Sequence, residues 1–287
     1  MTMRLTIRLL TAGDLDEAST LSATAGWNQR IEDWRMLVQI APHGSFCAID
    51  GGRIIGTAIG IDYGSFGWIA MMLVEPSYRG RGVGAALLEA AIDALPASNP
   101  IRLDATPLGR PLYERFGFED ESVLSRRVAQ PSARRVTPSR DPDVRPLTAA
   151  DLRVVQEHDR TVFGADRDVV LDWMVREAPQ FAQIALDTDG TPQYCLGRPG
   201  RLFDQIGPVV ARDQDTAMAL VSAAVRATDR AIVIDAFDAQ QPFSAWLEEA
   251  GFEGQRPLFR MRRAGERDAI SSPGEILEYA ILGPEFG

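Results

Sequence analysis

The stretch that decides the fold is residues 74–91, VEPSYRGRGVGAALLEAA. Three glycines and two arginines alternate within residues 79–84, between a proline and an amphipathic run. Glycine loses more backbone entropy on folding than any other residue, so a plain loop gains nothing from three of them. Backbone N–H groups at a helix start are unpaired, and the helix dipole adds partial positive charge there. The pattern therefore predicts an anion-binding turn with phosphate as its ligand.

Two common phosphate motifs do not fit this turn. Walker A needs a Lys-Ser/Thr pair, and a dinucleotide site needs GxGxxG after the first strand with an acidic residue about 20 positions later. Here RGRGVG follows several predicted strands and no such lysine. Arg79 and Arg81 can meet phosphate oxygens with their forked guanidinium groups. An ordinary glycine-rich turn is the alternative, and the coincidence of arginines, glycines and a helix start counts against it.

The surrounding periodicity predicts alternating strands and helices. We expect strands at 5–10, 67–74, 101–105 and 118–127, helices at 31–40, 84–95 and 110–116, and a hairpin at Asp50-Gly51-Gly52. The same order then returns, because DVRPLTAADL (143–152) is similar to the segment that contains IRLLTAGDL (7–15). The chain is therefore predicted to hold two copies of one fold.

The copies are separated by AQPSARRVTPSRDPD, which is rich in Pro, Ser and Arg. We predict a first domain over residues 1–128, a linker over 129–143 and a second domain over 144–287.

The composition limits the classes of partner. The 287 residues carry a formal net charge of -10, so a diffuse nucleic-acid binder is disfavoured and a cationic amine is suited, although many soluble proteins are simply acidic. Two cysteines and two histidines in unrelated contexts argue against a disulfide scaffold, a metal site or a Ser-His-Asp triad. We see no membrane span or signal peptide, and expect a cytoplasmic protein without metal.

Two motifs carry a resemblance to a known family. Residues 79–84 follow R-x-x-G-x-G after a strand that ends at Leu73-Val74, and this closely resembles the acetyl-CoA pyrophosphate loop of the GNAT N-acetyltransferases. PLYERFGFED (111–120) resembles that family's later motif, a helix carrying a tyrosine followed by Gly-Phe at a strand start. Both motifs lie in the first domain and in the family's order.

The resemblance implies an α/β (α+β) fold of two tandem GNAT-like domains, each a mixed, mostly antiparallel sheet flanked by helices. It implies that strands 67–74 and 101–105 splay apart around the thioester of acetyl-CoA. Backbone groups near Leu73 and Val74 would pair with the pantetheine amides. The pyrophosphate would be held by Arg79, Gly80, Arg81, Gly82, Val83 and Gly84. The reaction would be direct attack of an amine on the thioester, without a covalent enzyme intermediate.

The catalytic groups are a second set of implied residues. Tyr113 matches the family's proton donor to the departing thiolate, and a phenol stays protonated at neutral pH. It could instead be a packing residue. Many family members carry a general base Glu on the strand at 67–74, but that strand holds no carboxylate. Asp104 and Asp62 are candidate bases, each with the alternative of an ordinary exposed or capping acid. A water chain would serve without any single residue.

The acceptor pocket of this fold is usually lined by the segment after the first helix. Asn28, Glu32 and Asp33 lie in that segment, and Trp27 and Trp34 are candidates for its apolar wall, although Trp34 at helical spacing is typical of core.

The second copy lacks both motifs. IGPVVARDQDTA stands where the first copy has its glycine turn, and we place Trp246 where Tyr113 stands. The second domain therefore resembles the degenerate domain of tandem family members. It would either cover the acceptor site or serve as a structural or dimerisation module, and a homodimer is left open.

Three functions follow from the resemblance. The leading one is an acetyl-CoA-dependent N-acetyltransferase acting on a small-molecule amine. The alternatives are acetylation of a protein lysine or N-terminus, and a non-catalytic acyl-CoA sensor.

Overall fold

The computed structural model describes residues 5–136, 144–266 and 277–287. The chain forms two compact units. The described residues of the first are 5–121, 260–266 and 284–286, and those of the second are 122–136, 144–259, 277–283 and 287. Within the predicted linker, residues 137–143 lie outside the described residues.

The first unit is a mixed sheet with helices. Its strands are β1 (Thr6–Leu9), β2 (Ser45–Asp50), β3 (Arg53–Asp62), β4 (Gly67–Val74) and β5 (Ile101–Ala105). Its helices are α1 (Leu15–Thr24), α2 (Ile31–Ile40), α3 (Val83–Asp93) and α4 (Arg110–Arg115). The first four strands are antiparallel neighbours in chain order, and β5 joins β4 in parallel. The predicted mixed, mostly antiparallel sheet is confirmed.

The second unit repeats this order. Strand β6 (Glu119–Ala129) leads into it, followed by β7 (Arg145–Pro146), α5 (Ala149–Phe163), α6 (Asp168–Glu177), β8 (Gln183–Leu186), β9 (Pro192–Arg198), β10 (Asp204–Val210), α7 (Gln214–Val225), β11 (Ile232–Phe237), α8 (Gln241–Glu249), β12 (Glu253–Arg263) and β13 (Glu278–Ala280). Strands β7 to β10 are antiparallel neighbours, and β10 and β11 are parallel.

The repeat extends to individual side chains. Arg8 makes a bidentate ion pair with Asp14, with both N···O distances at 2.8 Å, and Arg145 pairs with Asp151 at 2.8 and 2.7 Å. Each aspartate also closes a capping box with a threonine three residues earlier. These arginine contacts hold the pKa of each aspartate well below its usual range. The predicted internal repeat is confirmed.

Local sequence explains most element ends. The predicted hairpin is present, with Gly51 at φ 58° and Gly52 at φ 81°, the left-handed values that a two-residue turn requires. Helix α3 begins at Val83 and ends at Asp93, one and two residues earlier than predicted. It packs against β3 at Gly60, where an added Cβ would lie 2.6 Å from the Ala91 carbonyl oxygen. This close approach fixes the C-terminal part of α3 against β3.

The compact units do not follow the predicted bounds 1–128 and 144–287. Residues 122–129 of β6 belong to the second unit, where Arg126 is paired with Asp235 in the ladder with β11. Residues 260–263 of β12 belong to the first unit. Each unit thus contains a strand segment from the other copy's sequence, which periodicity alone does not reveal.

Candidate active site

Strands β4 and β5 separate after a short contact. They pair only at Gly67 with Ile101 and at Trp68 with Arg102 in the described chain. Beyond that point β4 is bulged, since its register with β3 shifts at Met71, whose φ is 51°. The buried Thr57 hydroxyl donates to the Met71 carbonyl at 2.8 Å and holds the bulge. The predicted splay between these strands is therefore present.

The glycine turn begins at the end of β4 and leads into α3. Gly80 has φ 72° and Gly82 has φ 86°, and Gly82 is the N-cap of the helix. The first helical hydrogen bond runs from Ala86 N to the Gly82 carbonyl at 3.0 Å. Each backbone N–H from Gly80 to Ala85 lacks a hydrogen-bond acceptor among the residues that the structure describes. Such a row of donors at a helix start is an anion-binding arrangement.

The turn's glycines differ in what they require. At Gly80 and Gly82 an added Cβ would have no heavy atom within 4 Å, so backbone conformation is what restricts these positions. At Gly84 the φ is not left-handed, and an added Cβ would meet Leu112 Cδ2 at 3.5 Å and Val74 Cγ2 at 3.6 Å, which is ordinary contact. Fold and packing therefore leave room for alanine at Gly84.

The two arginines of the turn are exposed and locally supported. Arg79 Nε donates to the Val74 carbonyl at 3.1 Å. The Arg81 guanidinium lies 5.5 Å from the ring centre of Tyr78, whose hydroxyl donates to Asp50 at 3.1 Å. Leu73 is buried and Val74 is half-buried at the end of β4. Sequence neighbours thus place positive charge beside the free N–H groups.

Tyr113 lies on α4 and is buried, with 8% of its surface exposed. Its ring makes an edge contact with Phe118 at 6.0 Å. Burial raises the pKa of its phenol above the ordinary value, so the hydroxyl stays protonated. Within the described chain this hydroxyl has no hydrogen-bond partner. A protonated phenol of this kind can donate a proton to a sulfur anion.

The predicted acidic residues Asp104, Asp62 and Asp33 all accept hydrogen bonds from neighbouring groups. Asp104, whose side chain is fully buried, accepts two hydrogen bonds from Arg260, at 2.9 and 3.0 Å. Asp62 accepts from the Gly64 N–H at 2.8 Å, in a turn. Asp33 is fully buried and accepts from the Arg30 N–H at 2.5 Å, as the capping residue of α2. These contacts favour structural roles over proton transfer.

The remaining acceptor-pocket candidates divide between core and surface. Trp34 is fully buried, and its indole N–H donates to Ser22 at 3.2 Å, so it is a core residue. Asn28 is 4% exposed, Trp27 is half-buried, and Glu32 makes an ion pair with Arg35 at 3.5 Å.

Sequence reasoning missed the residues that the end of the chain brings to β4. The Arg260 guanidinium lies 4.9 Å from the ring centre of Trp68. The Trp68 indole N–H donates to the Pro284 carbonyl at 3.1 Å, and Tyr63 donates to the Phe286 carbonyl at 2.8 Å. No local pattern links positions this far apart.

Two family models match the chain. One described as "Acetyltransferase (GNAT) family" matches residues 14–118, and one described as "Acetyltransferase (GNAT) domain" matches residues 155–272. Together they cover more than half of the chain.

The chain belongs to the GNAT acetyltransferases.

Similar proteins agree with this membership. The "Uncharacterized N-acetyltransferase YitH" of Bacillus subtilis is 28% identical over 70% of this chain and 71% of its own. A putative acetyltransferase from Pyrococcus horikoshii has the same fold, with a TM-score of 0.78, 21% identity, and coverage of 100% of this chain and 98% of that chain. A tandem GNAT protein from the clavulanic acid biosynthesis pathway gives a TM-score of 0.61 at 16% identity, covering 90% and 98%. This GNAT protein is therefore an acyltransferase built from two tandem copies.

In the second GNAT copy the strand gap is filled. Strand β13 lies between β10 and β11, where Ala280 pairs with both Val209 and Ala236. At the start of α7 the Asp213 carboxylate accepts from the Thr216 N–H at 2.8 Å, in place of a glycine turn. The chain itself thus occupies both places that correspond to the pantetheine gap and the phosphate turn of the first copy.

The residue equivalent to Tyr113 is Leu247, which corrects our placement of Trp246. The Phe118 N–H bonds to the Tyr113 carbonyl at 3.1 Å, and the Phe252 N–H bonds to the Leu247 carbonyl at 2.9 Å. The Gly-Phe pairs that follow both helices fix this register, so Trp246 corresponds to Leu112. Leucine has no hydroxyl, and the second GNAT copy lacks the phenol at this position.

No helix in the described part of the chain is long and apolar enough to cross a membrane. Among residues 5–136, 144–266 and 277–287, no three His, Cys, Asp or Glu side chains cluster as metal ligands would.

Proposed function

We propose that this GNAT protein transfers the acetyl group of acetyl-CoA to the primary amine of a small molecule, using the site in its first unit. The row of free N–H groups from Gly80 to Ala85 carries this proposal, because it follows the end of β4, the strand that separates from β5 after Trp68. A phosphate-bearing ligand bound at the turn would extend its other end along β4 into the gap.

The residues of the turn fit a pyrophosphate. The N–H groups are unpaired, the surface above Gly80 and Gly82 carries no side chain, and two exposed arginines flank them. Arg79 and Arg81 would add charge-assisted hydrogen bonds to phosphate oxygens. Backbone groups at Leu73 and Val74 would pair with the pantetheine amides.

Tyr113 would act as the general acid. The neutral amine nitrogen forms a bond to the thioester carbonyl carbon and loses a proton to water, the carbon–sulfur bond breaks, and the Tyr113 hydroxyl donates its proton to the sulfur. Solvent then returns a proton to the tyrosinate. Burial raises the pKa of the phenol, so the hydroxyl is protonated at neutral pH and available to donate a hydrogen bond to the departing sulfur.

We infer that water, and not a carboxylate, takes the proton of the attacking ammonium. Strand β4 carries no acidic residue, and Asp104, Asp62 and Asp33 are engaged by Arg260, Gly64 and Arg30. If so, the apparent pKa in the pH profile of kcat/KM should follow the pKa of the amine when amines of different basicity are compared. An apparent pKa that stays constant across amines would indicate an enzymic base.

The net charge of -10 favours a cationic acceptor and is the support for an amine. The first experiment is CoA release from acetyl-CoA across amino sugars, polyamines, amino acids and lysine-containing peptides. Both cysteines are buried and burial raises their thiol pKa, for Cys47 to about 11, so a thiol reagent reports released CoA alone.

Turnover with one class of small amine supports the proposal. Turnover confined to peptides would replace it with a protein acceptor. Binding of acetyl-CoA without release in any arm would overturn it in favour of a sensor.

A further inference from the structure

Each copy supplies an arginine, at an equivalent position, that pairs with an aspartate of the other copy. Strands β6 and β12 both have 11 residues and nearly the same burial pattern, and Arg126 and Arg260 stand eighth in them. Asp104 and Asp235 each stand fourth in β5 and β11. Each arginine pairs with the aspartate of the other copy's sequence, since Arg126 binds Asp235 at 2.7 and 2.7 Å and Arg260 binds Asp104 at 2.9 and 3.0 Å.

Arg260 contacts both strands at the point where they separate. Trp68 is the last residue of β4 that pairs with β5, and the guanidinium lies 4.9 Å from its ring centre. Asp104 stands two residues beyond Arg102, the last residue of β5 that pairs with β4. One planar cation therefore stacks on one strand and is bidentate to the other.

A bidentate, stacked guanidinium fixes distance and orientation together, which a point charge does not. Asp104 has a fully buried side chain, so removal of Arg260 would leave a buried carboxylate without its partner. Arg260 thus holds β5 at a set distance from β4 at the base of the gap where the thioester is proposed to lie.

We propose that Arg260 is a positioning residue for acetyl transfer, and that the second GNAT copy completes the catalytic unit by supplying it through β12. This inference rests on the proposed function of the first unit. It assigns the second copy a role that its own site, filled by β13, does not provide.

The test compares Arg260→Met with Arg126→Met in the full-length chain. Both remove one partner of a buried bidentate pair, so both should lower Tm to a similar extent. At a temperature well below both transitions, Arg260→Met should lower kcat at least tenfold while the KM for acetyl-CoA stays within about twofold. Arg126→Met should keep kcat within about twofold of wild type. Arg260→Lys should recover less than half of the lost kcat, because lysine cannot be bidentate.

A wild-type kcat in Arg260→Met, or an equal loss in Arg126→Met, would overturn the inference. If either variant does not fold, two double variants give the same comparison without leaving an unpaired buried charge. They are Asp104→Asn/Arg260→Gln for the first pair and Asp235→Asn/Arg126→Gln for the second.

A binding readout separates this inference from the proposed function. Acetyl-CoA should protect the amides of residues 69–74 from hydrogen exchange, and Arg260→Met should weaken that protection while Arg126→Met does not. A wild-type protein that turns over no amine but shows this difference would overturn the proposed function and leave Arg260 as the residue that sets the acetyl-CoA gap. Equal protection in both variants, with wild-type turnover intact, would do the reverse.

Discussion

Arg79 binds the end of β4: its Nε donates a hydrogen bond of 3.1 Å to the carbonyl oxygen of Val74. The guanidinium is thereby held beside the free N–H groups of the turn before any ligand arrives. A side chain that is already oriented loses less conformational entropy when it binds. This contact explains how an exposed arginine can serve a specific site.

We expect Arg79→Ala and Arg81→Ala each to weaken acetyl-CoA binding by about tenfold, since a hydrogen bond to a charged group contributes roughly 1.5–3 kcal/mol. Titration calorimetry measures the change. Arg153→Ala is the control, because among the described residues this exposed arginine of α5 pairs with Glu157 alone. Unchanged binding in both turn variants would remove the arginines from the site.

Alanine substitutions at Gly82 and Gly84 distinguish what the fold requires of the turn from what ligand binding requires. Gly82→Ala places a side chain at φ 86° and should cost about 1–2 kcal/mol of stability. Gly84→Ala meets only ordinary contacts and should leave Tm equal or higher, because alanine favours a helix. Both should weaken acetyl-CoA binding by crowding the phosphate. Full binding by Gly84→Ala would show that the ligand does not approach the backbone there.

Tyr113→Phe should lower kcat by about 10²–10⁴-fold, the usual contribution of a general acid. Its Tm should not fall, since the hydroxyl has no partner in the described chain. Tyr194→Phe is the opposite case, because that buried hydroxyl bonds to Asp159 and its loss should lower Tm while sparing kcat. A Tyr113→Phe enzyme with normal kcat would leave the tyrosine as a packing residue.

One molecule of acetyl-CoA should bind per chain. In the second unit β13 fills the space between β10 and β11, and the Asp213 carboxylate caps α7 where a phosphate would need positive charge. Equilibrium dialysis with labelled acetyl-CoA gives the stoichiometry. Two equivalents at saturation would mean that β13 leaves its place.

Acid should remove stability that the two Arg–Asp pairs provide. The arginines hold the pKa of Asp14 and Asp151 below the unfolded value of about 3.9, so the pairs stabilise the fold above that pH. This stabilisation is lost as the pH falls through the lower, folded pKa. Tm should therefore fall less steeply between pH 5 and 2 in Asp14→Asn/Asp151→Asn than in wild type. Parallel curves would show that the pairs contribute equally in both states.

Local patterns predicted local structure well. Helix 31–40 and strands 67–74 and 101–105 have the predicted bounds, because apolar spacing and the turn residues at their ends agree. The turn of the site was also predictable from the sequence, since two of its glycines, Gly80 and Gly82, have the positive φ angles that favour glycine. Asp33 accepts a hydrogen bond from the Arg30 N–H, and its place three residues after the N-cap is the sequence signal for this contact.

The hydrophobic periodicity of the sequence did not predict which strands pair with each other. A strand pattern states which face is buried but not which strand lies beside it. The pairing of β6 with β11, the contact of Arg260 with Asp104 and the place of β13 therefore all escaped the sequence analysis.

The ion pair between Asp104 and Arg260 has a consequence for synthesis of the protein. A ribosome adding roughly 5–20 residues per second needs about 8–30 seconds to pass from one partner to the other. During that interval β5 has been made, but the arginine that neutralises its buried aspartate has not. A nascent chain that stops at the linker is left with a charged, open strand. Stalled or truncated products should therefore be prime substrates for chaperones and proteases.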